Sequence, residues 1–212
     1  LYVSHNIDSI KQICQSAILL KEGRIYQYSD AQTIADIYLS GYSTKYYNYF
    51  NSLDETEKGN NNVKLLGIDT IDENLNPISE IVVDKKIGIN ITLNINTENP
   101  PLINIDICSI EGKYICSAIT TKPLNMGNGT YKIIVWIPEN LLNDIIYTIG
   151  VGVFTPNNSD GTQYSSTIYY YNNKLLQFKA EDSLNSQTRL LYKGVYGSLI
   201  RPVFNWDIKK TN

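Results

Sequence analysis

Between residues 86 and 95 the chain alternates strictly. Ile87, Ile89, Ile91, Leu93 and Ile95 fall on one parity, and Asn90, Thr92 and Asn94 on the other. A period of two sends the sets to opposite faces of a strand, so one face is buried and one is wet, which predicts a half-buried antiparallel strand. The parity returns at Ile103, Ile105 and Ile107, at Tyr131, Ile133, Val135 and Ile137, and at Tyr147, Ile149, Val151 and Val153. Residues 63–71 open the series, residues 113–119 return from a Glu111-Gly112 turn, and Leu176, Phe178 and Ala180 mark a further run. Residues 199–206 read as the closing strand. Short runs at this density predict a mainly β fold over residues 63–208, an antiparallel β-sandwich of jelly-roll or Ig-like type. Pro138 and Pro202 mark strand ends or edges.

The first forty residues carry a different pattern. Residues 1–4 are strand-like, and Ile7, Ile10, Ile13 and Cys14 follow at helical spacing, with Asn6 or Asp8 placed to cap them. An apolar run at 17–20 ends at Glu22-Gly23, a turn signal, and residues 24–28 resume in β style. Ser29 and Asp30 are placed to cap a second helix whose Ala31, Ile34, Ala35 and Tyr38 share one face. This predicts a short α/β piece over residues 1–41. Residues 42–62 read as a linker: Tyr42, Tyr46, Tyr47, Tyr49 and Phe50 prolong the helix, and a polar stretch through 59–62 marks the boundary.

Composition narrows the function classes. A net charge of −3 and a pI near 5.2 supply no basic field for nucleic acid. Cys14, Cys108 and Cys116 are too few and too irregularly spaced for a disulfide framework or a zinc site, and reduced thiols fit a cytosolic protein. No apolar run approaches the roughly 20 residues a membrane helix needs, and no signal peptide is visible. The chain opens at Leu1 in mid-motif, as the C-terminal part of something longer would. The 17 tyrosines accompany abundant Asn, Ile and Lys, the signature of AT-rich coding, so a tyrosine cluster is weak evidence of a site by itself. The sequons at Asn90, Asn128 and Asn157 are expected by chance in an Asn-rich chain.

VSHN at 3–6, Ile13-Cys14, AILLKEGRI at 17–25 and the helix after them resemble the tail of an ABC transporter ATP-binding domain. Tyr28 departs from that pattern where relatives often carry glycine. The resemblance implies that His5 is the switch histidine contacting the nucleotide γ-phosphate, with ATP and Mg as cofactors of the intact parent. This chain has no GxxxxGK[ST] loop to cradle phosphates and no acidic strand end for Mg. The chain as it stands is therefore expected not to be an ATPase, and no protein metal site is expected.

IPENLL and the run after it (137–153), LLQFKAED (175–182) and GSLIRPVFNW (197–206) resemble the C-terminal domain of Wzt-type proteins, the ATP-binding subunits of bacterial polysaccharide exporters. Ile146 departs from that pattern where relatives place glycine. The resemblance implies a sandwich that binds the exported, lipid-linked glycan and couples recognition to a membrane permease, at the inner face of the bacterial cell membrane. It also implies a homodimer formed by exchange of residues 198–206.

Sugar sites pair an aromatic face with amide and carboxylate partners for hydroxyls. On the outward parity Trp136 shares a face with Ile134, and Phe154 shares one with Thr148, Gly150 and Gly152, two glycines that leave bare backbone. Residues 163–173 add Tyr164, Tyr169, Tyr170 and Tyr171. The carbohydrate-binding candidates are thus Trp136, Phe154, Tyr164, Tyr169 and Tyr171. The alternative is that Trp136 and Phe154 meet a partner subunit and the tyrosines are compositional, in a module that dimerises ATPase subunits without touching sugar. A glycoside hydrolase would need two carboxyls facing one cleft. Asp69, Asp72, Glu139 and Asp160 instead fall at strand ends and turns, where solvated acids are ordinary.

Overall fold

The computed structural model describes residues 2–3, 7–21, 23–40, 45–124, 127–156, 166–183, 186, 189, 192–194 and 196–210. His5 and Tyr164 lie outside the described residues.

The α/β piece opens with α1 (Ile7–Ile13). An antiparallel hairpin of β1 (Ser16–Lys21) and β2 (Arg24–Asp30) and then α2 (Ala31–Ser40) follow. Asp30 Oδ1 accepts the Thr33 N–H at 2.9 Å, which satisfies one orphan donor of the first turn of α2. Ile7, Ala31, Ile34 and Ala35 are buried, whereas Ile18, Leu20, Ile25, Tyr26 and Tyr28 of the hairpin are exposed.

The sandwich begins earlier than the pattern predicts. Tyr42 lies outside the described residues; instead of prolonging a helix, Tyr46, Tyr47, Tyr49 and Phe50 fall in β3 (Tyr46–Asn48) and a 3₁₀ turn at Tyr49–Ser52. Tyrosine suits a pleated, half-buried edge. β3 pairs antiparallel with Leu176–Phe178, and Tyr46 and Phe50 pack against the core. Next come β4 (Val63–Ile71), β5 (Ile81–Val82), β6 (Ile87–Ile95), β7 (Leu102–Ser109) and β8 (Tyr114–Ile119). The last strands are β9 (Gly129–Ile137), β10 (Ile146–Pro156) and β11 (Ser166–Glu181).

Two sheets result, antiparallel throughout except where the short β5 runs parallel to β11. The smaller is ordered β4-β6-β9, and the larger β3-β11-β10-β7-β8 with β5 alongside β11. Between them lies one core, in which Ile89, Ile91 and Leu93 of β6 meet Ile103 and Ile105 of β7, Tyr147, Ile149 and Val151 of β10, and Leu176 and Phe178 of β11. The alternating parities of the sequence are the inner faces of these strands, and the fold class is the antiparallel β-sandwich they predict.

The closing segment differs from expectation. Residues 199–206 do not form a strand. They make one isolated bridge, Leu142 to Ile200, and an Arg201 N–H bond to the Leu141 carbonyl at 2.9 Å. Pro202, with no N–H to donate, then ends the pairing, and Val203, Phe204, Trp206 and Ile208 are exposed. The segment is held up to that point by side chains. Tyr147 Oη donates to the Leu199 carbonyl at 2.7 Å, and Asn143 Nδ2 donates to the Ser198 carbonyl at 2.6 Å. The Arg201 guanidinium grips both oxygens of Asp182 at 2.7 and 2.8 Å.

Candidate functional site on the larger sheet

The outward parity of the larger sheet can be followed across strands by register. Gly150 of β10 stands opposite Asp106 of β7, which stands opposite Ser117 of β8. One step along, Tyr171 of β11 faces Gly152, which faces Asn104, which faces Ile119. A further step brings Ile168, Phe154 and Leu102 into line. The result is a polar patch, built by four strands, with an apolar border at Phe154.

Two glycines shape the floor, though not as open backbone. Three residues of β11 are unpaired in a bulge opposite Gly150, and a Cβ there would sit 2.6 Å from Asn173 Cα. Only glycine lets that backbone pass so close. At Gly152 a Cβ would lie 3.3 Å from Tyr171 Cδ2 and 3.6 Å from the Asn104 amide nitrogen. The space the sequence reading left for a ligand is therefore filled by the bulge and by the Tyr171 ring.

Tyr171 reaches across β10 and β7. Its hydroxyl meets that of Tyr114 and donates to Asp106 Oδ2 at 3.3 Å. Ser117 Oγ donates to Asp106 Oδ1 at 2.5 Å. The two tyrosines thus form an arch over the sheet, Tyr114 being 57% and Tyr171 46% exposed, while Asp106 beneath is 3% exposed. Burial, the Tyr114 hydrogen bond and the Asp106 charge push the Tyr171 hydroxyl well above the usual tyrosine range. Burial, with Asp106 adding to it, also raises the Cys108 and Cys116 thiols, so neither is an activated nucleophile. Such a patch has aromatic faces, hydroxyls, an amide and a carboxylate, the equipment for hydrogen-bonding and stacking on a polyhydroxylated ligand.

The sequence-predicted candidates separate. Phe154 and Tyr171 lie on this face. Tyr169 packs against the core, because a register shift between Val153 and Phe154 turns it inward. Trp136 lies on the outer face of the other sheet. There its ring closes over Gly88, where a Cβ would meet Trp136 Cζ3 at 2.9 Å, and Lys86 Nζ sits 4.7 Å from the ring centroid. Asn104, Asp106, Tyr114 and Ser117 were missed. Their signal was present, since Asn104 and Asp106 are the polar positions of an alternating strand, but only the register shows which neighbours they meet.

A concavity of about 500 Å³ lies at the end of the smaller sheet among Asn60, Lys64, Asn94, Asn96 and Asn128. Its amides serve the fold. Asn128 Nδ2 donates to Asn96 Oδ1 at 2.8 Å, and Asn60 Oδ1 accepts the Asn62 N–H at 2.8 Å. Among the described residues no group of three or more His, Cys, Asp or Glu could hold a metal ion, and no helix is long and apolar enough to cross a membrane.

No protein-family model matches the chain, and no curated protein does. Among solved structures, the C-terminal domain of Wzt superposes with a TM-score of 0.56 at 9% sequence identity, over 76% of this chain and 99% of that one. The fold is therefore that of the Wzt C-terminal domain.

Proposed function

We propose that this chain belongs to the ATP-binding subunit of a bacterial polysaccharide ABC exporter, and that the outer face of its larger sheet binds the exported glycan. The observation that carries the reading is the Tyr114–Tyr171 arch over Asp106, Ser117 and Asn104, on a fold shared with the Wzt C-terminal domain. In the exporter the glycan is lipid-linked, and binding couples its recognition to a membrane permease at the cytoplasmic face. ATP and Mg belong to the intact subunit, with His5 as the γ-phosphate contact. The residues of this chain do not by themselves make a nucleotide site, since the sequence holds no phosphate-cradling loop. On this reading the chain is a recognition module and not an enzyme.

The test uses the polysaccharide exported by the source cell. With Tyr114→Ala and Tyr171→Ala combined, affinity measured by calorimetry is expected to fall at least about tenfold, the size of one lost stacking contact. The circular dichroism spectrum should be unchanged. Unaltered affinity in that variant rejects this face as the glycan site.

A second reading, a module that joins two subunits, is favoured by one observation. Val203, Phe204, Trp206 and Ile208 are 60, 67, 80 and 87% exposed in a segment that, among the described residues, makes no backbone pairing past Arg201. A row of large apolar side chains like this is the kind of surface that a partner covers. Exchange of the segment between two copies would bury it and is compatible with glycan binding. Sedimentation equilibrium of the full chain should give a dimer, and a chain ending at Pro202 a monomer. Monomer from both would exclude the exchange.

A further inference from the structure

The hydroxyl network of the arch has a direction. A carboxylate only accepts hydrogen bonds, so the Ser117 proton must point at Asp106 Oδ1 and the Tyr171 proton at Oδ2. The Tyr171 oxygen is then left to accept, and Tyr114 must donate to it. All three hydroxyl protons are spent inside the network, in the order Tyr114 to Tyr171 to Asp106 with Ser117 from the other side. What is left unfilled is acceptor capacity: the lone pairs of the exposed Tyr114 and the remaining positions on the Asp106 oxygens buried beneath it. Next along β7, Asn104 Oδ1 is buried with no hydrogen-bond donor. Two successive outward positions of one strand thus hold under-filled acceptors.

Charge points the same way. Asp106 is 3% exposed, and among the described residues no Lys or Arg forms an ion pair with it. The buried carboxylate of the other end of the sandwich, Asp182, has two arginines. A buried carboxylate held only by neutral hydroxyls is left with negative potential that a positive donor would offset and a second anion would worsen. The Tyr114–Tyr171 contact is a single hydrogen bond between neutral, half-exposed side chains. A ligand donor can part it at little cost.

From these under-filled acceptors and the uncompensated carboxylate among them, we infer that the site selects glycans presenting a protonated amine, an amino sugar whose ammonium enters between Tyr114 and Tyr171 toward Asp106. An ammonium brings three donors and a charge, a hydroxyl brings one donor, and a uronate or phosphate brings acceptors and a like charge. Amino sugars should therefore bind above neutral ones, and acidic sugars should be rejected. The inference rests on the glycan-binding reading and adds the charge class to it.

Calorimetric titration of the full chain at pH about 6, where a sugar amine is charged, tests it with three tetramers of β-1,4-linked glucosamine, glucose and α-1,4-linked galacturonate. The glucosamine tetramer is expected to bind at least about tenfold tighter than the glucose tetramer, and the galacturonate tetramer to show no saturable heat. In Asp106→Asn the glucosamine-to-glucose ratio should fall to about one. If that variant does not fold, the wild-type chain answers instead, because raising salt from about 0.05 to about 0.5 M should shrink the ratio. Equal affinities, a galacturonate preference, or a glucosamine tetramer that does not bind each overturns the charge selection. Binding of the exporter's polysaccharide in the same cell would keep the glycan-binding reading in those cases. Failure of that polymer as well overturns both.

Discussion

Asp182→Ala is expected to cost the chain about 3–5 kcal/mol, the usual penalty for removing one partner of a buried ion pair. At this chain length that is roughly 6–20 °C in melting midpoint. The Asp182 side chain is 2% exposed and is shared by Arg201, through two bonds of 2.7 and 2.8 Å, and by Arg189 Nε. The two guanidiniums also lie 5.4 and 5.5 Å from the Tyr196 ring centroid, Arg201 and Arg189 respectively. Deleting the carboxylate would leave two buried cations facing one another. Burial alone would raise the Asp182 carboxyl, but the hydrogen bonds and charges of Arg201 and Arg189 outweigh it and hold the group below the ordinary carboxylate value. A folded-state value below the unfolded one means that this contribution is complete above the unfolded value, about 4. It is lost as pH falls through the lower folded value. Thermal melts of the wild type should thus keep this contribution at pH 5 and lose it progressively below about 4, while Asp182→Ala should lack that part of the acid sensitivity. The exposed Lys45–Glu181 pair is a control, since Glu181→Gln should leave the midpoint at neutral pH where it is.

Phe178→Ala is expected to cost a similar amount, about 3–5 kcal/mol, whereas Phe154→Ala should cost much less. Phe178 is fully buried between the sheets, with its ring 6.0 Å from that of Tyr147. A cavity there cannot close, because both sheets are fixed by their ladders. Phe154, on the outward parity of β10, is only half-buried, so truncation leaves no sealed void. Denaturant titrations of the two variants measure the difference directly. Equal costs would mean that Phe154 is a core residue and that the outward face has been misassigned.

The core was legible because it depends on parity alone. Ile87 to Ile95 and Tyr147 to Val153 alternate without interruption, and each apolar set is buried as alternation requires. The candidate site was legible only in part. Phe154 and Tyr171 are large aromatics on strands and announce themselves, but the parity of Tyr169 is changed by a register shift that no local pattern records. Asp106 gains its meaning from Ser117, Tyr171 and Tyr114. These come from two other strands, one beside β7 and one two strands away, and are aligned by bulges in β8 and β11. The closing segment shows the opposite error. Its apolar content suits a strand, yet strand formation needs a partner for each N–H, and past Pro202 none is found among the described residues.

Chemical-shift mapping on the ¹⁵N-labelled chain, titrated with the exported polysaccharide, tests the central claim most directly. The account predicts saturable shifts at the amides of Asn104, Asp106, Tyr114, Ser117, Gly152 and Tyr171, with Gly88, Ile134 and Trp136 unmoved. Shifts confined to the Trp136 face, or no shifts at saturating polymer, would contradict it.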